Sequence, residues 1–346
     1  MARFRIVTAL LVFAIVALAL SLLLVGTVDV PAVEVWRILT GRPSDYEPWN
    51  FIIFESRLPL VVTAALAGGA LAVSGLLLQT LFGNTLADPS ILGISTGASL
   101  GAGCTMLAFG SSFATVLGVA AGGYVATLTG AFVGAMVVMA LLLVMSNVVK
   151  SSTMLLIVGI LIGYIASSAI SLLNFFATEE GVHSFVIWGL GNFSGVTLRQ
   201  LPVFAAVVVA GLAASLLLIK PLNALLLGRR YAENLGVNLR STRNVLLVVT
   251  GLLTAVVTAF CGPIGFIGLV VPHVSRLLLR TSDHYRLIPV AILAGAVVAM
   301  ACTLVSVLPM DNGMIPINAI TPIVGVPVIL YVLINRRKIF YFNCQR

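Results

Sequence analysis

His273 is the side chain in this sequence best suited to acid–base chemistry. It lies in CGPIGFIGLVVPHVSRLLLR (261–280), where Gly262, Pro263, Gly265, Gly268 and Pro272 interrupt an apolar run that ends in arginines. A histidine at such a place either relays protons, which calls for a carboxylate partner, or fixes a polar group of the backbone. No carboxylate pairs with it in the sequence, so a capping or hydrogen-bonding role is expected. Cys104, Cys261, Cys302 and Cys344 form no CxxC pair and no His-rich spacing, so no metal site is expected. Lys150, Lys220 and Lys338 follow Val, Ile and Arg, which rules out a GxxxxGK[ST] loop around a nucleotide phosphate. Asp88 and Glu55 stand only at the ends of apolar runs, and no run holds a carboxylate in its interior. An ion-coupled secondary transporter, the alternative reading, would place its coupling carboxylates there. A passive channel would need a filter of repeated carbonyls or rings of charge, and no such pattern is present. Nothing here calls for an enzyme or a resident cofactor.

The elements that hold these residues follow from composition. The chain is 60% hydrophobic and 9% charged, against roughly a quarter charged in soluble domains. Apolar runs of membrane-crossing length recur throughout, and backbone groups in lipid must be paired internally, so the fold class is all-α integral membrane. The spans fall at about 6–28, 58–81, 91–110, 115–146, 153–176, 202–219, 244–262, 264–279, 287–308 and 319–334, about ten helices in one transmembrane domain covering 1–346. Arg3 and Arg5 precede Ile6–Val28, a run too long for a secretory signal and without a small-residue cleavage site. With the N-terminus inside, fifteen of the nineteen Lys and Arg fall on the inner side, leaving Arg37, Arg42, Arg57 and Arg199 outside. The positive-inside bias puts both termini in the cytoplasm, and the loop placement of the basic residues argues for a lipid bilayer rather than nucleic acid as the partner.

Two spans are unusual. Residues 115–146 are too long for one upright helix, so the span tilts or starts later. Residues 264–279 are short and interrupted, which is tolerated only where protein or a water-filled cavity satisfies the freed backbone. Gly97/Gly101, Gly118/Gly122, Gly130/Gly134 and Gly159/Gly163 have the spacing of close helix–helix packing, expected within the chain. The outer loop 28–57 is expected to hold a short interfacial helix with Trp36 and Trp49 at headgroup depth. The inner loop 220–243 reads as two short amphipathic helices broken at Gly228 and Gly236. It would either lie on anionic lipid or dock a soluble partner.

An ordered series of motifs resembles the FecCD/BtuC-like permeases, the membrane subunits of ABC importers for iron-siderophore complexes, heme and cobalamin. It comprises RLPL (57–60), FGNTLADPSILGISTGASLG (82–101), WGLGNFSG (188–195), LLLGRRYAENLGVN (225–238), GPIGFIGLVVPHVSRLL (262–278) and PINAITPIVGVPV (316–328). The resemblance implies the type II ABC importer permease (BtuC-like) architecture. It further implies a homodimer with the pathway on its axis, in the bacterial cytoplasmic (inner) membrane. Two separate ATPase subunits would use ATP and Mg, and an extracytoplasmic binding protein would deliver the ligand. The coupling loop for the ATPase would include Leu225, Gly228, Arg229, Arg230, Ala232, Leu235, Gly236 and Val237. Structural and gating motifs would be Asn84, Asp88, Pro89 and Gly93, with Gly265, Gly268, Pro272 and His273 in the second half. The glycines would allow close packing, and Pro272 a break. GNTLADP (83–89) looks like a pseudo-repeat of the second-half interruption.

The family's RLPR reads RLPL, with Leu60 for the second arginine. Its A-D-x-L-x-R reads ACTLVS (301–306), with Cys302 and Ser306 for the acid and base, and NPLADP reads NTLADP, with Thr85 for Pro. Docking of the binding protein is therefore expected to rest on Arg57 with Arg199, Arg37 or Arg42, or on a binding protein with fewer acidic contacts. The residues do not choose among heme, siderophore and cobalamin; iron compounds, as the commonest cargo of that family, are the expected class.

Overall fold

The computed structural model describes residues 2–26, 28–42, 44, 46–108, 123–149, 151–308 and 314–334. The first residues of the expected 115–146 span, the Gly118/Gly122 pair and Cys344 lie outside them. Every regular element among the described residues is helical. The helices are α1 (Ala2–Leu24), α2 (Ala32–Leu39), α3 (Glu47–Phe51), α4 (Leu58–Phe82), α5 (Ile94–Gly103), α6 (Gly123–Val148), α7 (Ser152–Phe176) and α8 (Glu179–Gly189). Then come α9 (Leu201–Leu217), α10 (Ile219–Leu226), α11 (Arg229–Asn234), α12 (Leu239–Cys261), α13 (Ile267–Leu279), α14 (His284–Ser306) and α15 (Ile317–Ile334).

Six helical stretches are long and apolar enough to cross a membrane: Ala2–Leu24, Glu47–Phe82, Gly123–Val148, Ser152–Phe176, Leu239–Cys261 and His284–Ser306. α9 and α10 together form a seventh, bent by 51°. α5, α13 and α15 are shorter apolar helices. Each of the ten expected segments thus contains a helix, and the chain is a multi-pass membrane protein.

α4 is the centre. It is apolar on every side and almost wholly buried, as a helix enclosed by other helices must be. α12, α13 and α14 pack around it. Small residues set the approach: a Cβ on Gly68 would run into the Gly295 carbonyl of α14, and one on Gly75 into the Gly268 carbonyl of α13. α5 and α6 pair through Gly97 with Gly134 and Gly101 with Gly130, and Gly159 of α7 meets Leu92. These glycine pairs pack helices inside one chain. α1 and α7 stay at the perimeter, with large apolar side chains such as Phe13, Tyr164, Ile165 and Phe175 exposed, as lipid or another apolar partner requires.

The two ends of the bundle differ in charge. One, called here the basic end, carries Arg3, the α10–α11 loop and the α13–α14 turn; the other carries Arg57, α2, α8 and the start of α15. The outer loop holds two short helices rather than one: Trp36 on α2 is 67% exposed, and Trp49 on α3 packs edge-on against Tyr46.

Candidate functional site

At the basic end, α10 and α11 form the two-helix surface expected for 220–243. Gly228 (φ +102°) starts α11 and Gly236 (φ +82°) follows it, a backbone region that other residues enter only with strain. Ala232 is buried, and Leu225 and Val237 are half-buried against the bundle. Arg229, Arg230 and Leu235 face outward, joined by Leu227 and Tyr231, giving a mixed apolar and basic face. The Arg229 guanidinium donates to Ser152 Oγ at the start of α7, which ties the loop to the bundle.

A polar chain runs from half-buried Asn223 and Asp283 at this surface to buried His284 and Thr80 of α4. The Asn223 amide donates to Asp283 Oδ1 at 2.8 Å, and its oxygen accepts the main-chain N–H and Nδ1 of His284, each at 2.9 Å. With Nδ1 donating, His284 Nε2 accepts the Thr80 hydroxyl of α4 at 2.8 Å. At the preceding position of α4, Arg276 of α13 donates to Gln79 Oε1 at 2.6 Å, and Gln79 Nε2 donates to the Leu269 carbonyl at 3.3 Å. A polar network satisfied this fully in a low-dielectric interior is rigid.

Beside it lies the first chain reversal, residues 83–93. Asn84 Oδ1 accepts the Leu86 N–H at 3.0 Å. Asp88 caps the short turn at 89–92, accepting the N–H of Ser90 at 2.9 Å and its hydroxyl at 2.5 Å. Burial pushes the Asp88 carboxyl up from its ordinary value, against the two Ser90 hydrogen bonds that lower it. His273 Nε2 donates to the Thr85 carbonyl at 2.8 Å. Gly268 leaves just enough room for Asp88 and Pro89, each 3.0 Å from where its Cβ would stand. Asn84, Asp88, Pro89, Gly268 and His273 therefore meet at one place, and Gly93 closes the reversal at φ +78° against α7.

α13 does not break at Pro272, contrary to expectation; it runs through it. Pro272 has no N–H to return to the Gly268 carbonyl four residues earlier, and that carbonyl lies against Gly75 of α4, where only a hydrogen fits.

The break is instead at 262–266, at the opposite end. α13 has 13 residues, about 20 Å of helix and short of a hydrocarbon core of about 30 Å. Its freed backbone is satisfied mainly by Asn318 of α15, which donates to the carbonyls of Pro263 (2.6 Å) and Gly189 (3.2 Å) and accepts the Gly265 N–H at 3.3 Å. Gly265 thus stands apart from the basic-end cluster. Asn192, whose side chain caps the turn at 193–195, also gives its N–H to the Cys261 carbonyl at 2.8 Å.

Arg57 is placed differently from expectation. It is 4% exposed, and its guanidinium donates to the carbonyls of Leu23 (2.6 Å), Leu24 (3.0 Å) and Val28. It closes the C-terminus of α1 rather than presenting a charge at the surface, because helix-end carbonyls buried among apolar residues require donors. Leu60 and Ser306 are buried as well, and the Ser306 hydroxyl donates to the Ile315 carbonyl.

Gln79, Arg276, Asn223, His284 and Asn318 were not foreseen as site residues. The available signal was their polarity inside apolar segments, where an unpaired polar group is costly.

The sequence pattern of the FecCD transport family matches residues 10–335. The chain belongs to the FecCD transport family. Among relatives of this FecCD protein are the "Vitamin B12 import system permease protein BtuC" of Salmonella paratyphi A and that of Klebsiella pneumoniae. The first is 33% identical over 94% of this chain and 95% of the relative, the second 34% over 83% and 84%. A solved structure described as "An inward-facing conformation of a putative metal-chelate type ABC transporter" matches with TM-score 0.80 and 28% identity, over 96% of this chain and 99% of that one. Fold and family therefore agree: this is a membrane-embedded transport permease.

Proposed function

We propose that this FecCD protein is the membrane subunit of an ATP-driven importer for a metal chelate, either a corrinoid or an iron chelate (siderophore or heme). It works as a homodimer in the bacterial inner membrane with both termini in the cytoplasm. The basic end is then cytoplasmic, and the α10–α11 face docks a separate ATPase subunit that uses ATP and Mg. One observation carries this reading: a face of Leu227, Tyr231 and Leu235 among arginines, exposed on the outside and wired through Asn223 and His284 to the central helix.

Closure of two ATPase subunits would push on α10 and α11, and the polar chain would pass the displacement to α4, α13 and α14 as one body. The dimer axis would then open alternately to either side. The barely buried faces of α7 suit the dimer axis, with Ser168 and Ser171 among apolar side chains. Arg57 being turned inward, the binding protein would dock on Arg199, Arg37 and Arg42, through charges that steer encounter more than they hold it.

The test is ATPase activity and ligand uptake in proteoliposomes containing this chain, the ATPase encoded beside it and the cognate binding protein, loaded in turn with cobalamin, heme and a ferric siderophore. ATP-dependent uptake of one ligand, lost on deletion of 229–237, is the expected result. Uptake driven by an ion gradient with no ATPase bound would overturn the reading.

A further inference from the structure

Behind the α10–α11 surface lies a cleft of about 690 Å³ with more positive charge than the chain neutralises. Arg229, Arg240 and Arg243 line it with a single carboxylate, Glu233, beside Asn147 and Asn238. Among the described residues Glu233 forms no ion pair with any of these arginines. Arg243 is 9% exposed; its terminal nitrogens donate to the carbonyls of Ser146 and Val149, while its buried Nε has no hydrogen-bond partner. Arg240 is exposed, and among the described residues no hydrogen bond occupies its guanidinium. The N-terminus of α12 opens into the same cleft: Asn238 caps it through the Ser241 N–H at 3.0 Å, and Leu239 and Arg240 begin it. The unsatisfied N–H groups of that 23-residue helix add positive potential to the arginines.

Cations gathered this closely in a partly enclosed space repel one another unless an anion enters. The match is a phosphate group, whose oxygens accept from several guanidiniums at once and sit well at a helix N-terminus. We propose that this cleft binds a phosphate group, supplied by the headgroup of an anionic phospholipid or by free phosphate. Leu225 and Leu239 also line it, so a phosphate carrying a hydrocarbon neighbour is accommodated. The position suits the lipid source, because Arg240 and Arg243 directly precede the apolar part of α12, at the depth where basic pockets between helices meet headgroups. The occupant would brace the coupling loop against α6 and α12. The inference does not rest on the importer reading: it needs neither ATPase nor cargo.

The experiment uses the full chain alone. It is placed in nanodiscs of phosphatidylcholine, with or without phosphatidylglycerol or cardiolipin, and lipid retained after transfer to detergent is counted by native mass spectrometry. Inorganic phosphate is titrated into the phosphatidylcholine sample while thermal stability is followed. A retained anionic lipid would identify the headgroup as the source, and a phosphate-dependent rise in melting temperature without it would identify free phosphate. In either arm R240Q should weaken binding about tenfold, a change of about 1.4 kcal/mol, and E233Q should strengthen it. R240Q is the primary variant because it removes no hydrogen bond described above, whereas R243Q also loses two contacts to α6. No retention and no phosphate response, or binding indifferent to both R240Q and E233Q, would overturn the proposal.

Discussion

The two chain reversals next to α13 are held by different chemistry. Residues 83–93 at the basic end are fixed by Asp88 and His273, with the Gln79–Arg276 and Asn223–His284 bonds immediately beside them. Residues 262–266 at the other end are held by amides: Asn318 and the main chain of Asn192. Hydrogen bonds that engage an ionisable group away from water hold their neighbours together and are costly to break, because the group left behind is unpaired. Hydrogen bonds between neutral amide groups are more readily exchanged for bonds to water, each contributing about 1 kcal/mol. Under the importer reading the difference has a purpose: the end that receives the ATPase stroke is stiff, and the end that admits ligand is closed by bonds that can be exchanged.

Substitutions can break this contrast in graded ways. Gly75→Val should have the largest effect, since any Cβ there strikes the Gly268 carbonyl and forces α4 from α13; the expected outcome is loss of monodisperse protein on size exclusion, and wild-type yield would refute the contact. Gln79→Leu comes next. It takes an acceptor from buried Arg276 and should lower unfolding stability by about 3 kcal/mol, measured by denaturant titration in mixed micelles.

Asn318→Leu should cost less, about 2 kcal/mol, and should raise hydrogen exchange at 262–266 while leaving 83–93 protected. Equal exchange at both reversals would erase the distinction drawn here. The pair His284→Ala and Asn223→Ala, taken through a double-mutant cycle, should show about 1 kcal/mol of coupling.

Asp88→Asn gives the smallest and most selective effect. Burial raises the folded-state pKa of this carboxyl above its unfolded value, so its contribution is fully present below the unfolded pKa and is lost as pH rises through the folded one. The wild-type protein should therefore become more stable as pH falls through that interval. The asparagine, which keeps an Oδ1 acceptor for Ser90, should flatten the slope in melting curves taken across pH.

Much of the fold was legible because lipid imposes it. Apolar runs located the helices, charge located the loops, and the Gly228 and Gly236 breaks set the ends of α11. The interruption at 262–266 was legible for the same reason, being punctuated by Gly262, Pro263 and Gly265. The partners across the bundle were not. Gln79 and Arg276 lie 197 residues apart and Thr80 and His284 204 apart, and no local pattern joins such pairs. Pro272 misled for a related reason: its cost depends on what meets the carbonyl it frees, and Gly75 of another helix decides that. Arg57 was legible as an arginine beside the first long outer loop, but not as the donor for a helix end 34 residues earlier.

That arginine bears on how the protein is made. α1 is made long before α14, its main packing partner, and Arg3 bonds to the Leu278 carbonyl 275 residues away. For most of synthesis α1 has no groove to enter. Arg57 arrives with the next long span and closes the end carbonyls of α1, which ties the two spans together before α14 is inserted. An early clasp of this kind keeps α1 from drifting away in lipid while its final seat is still being translated.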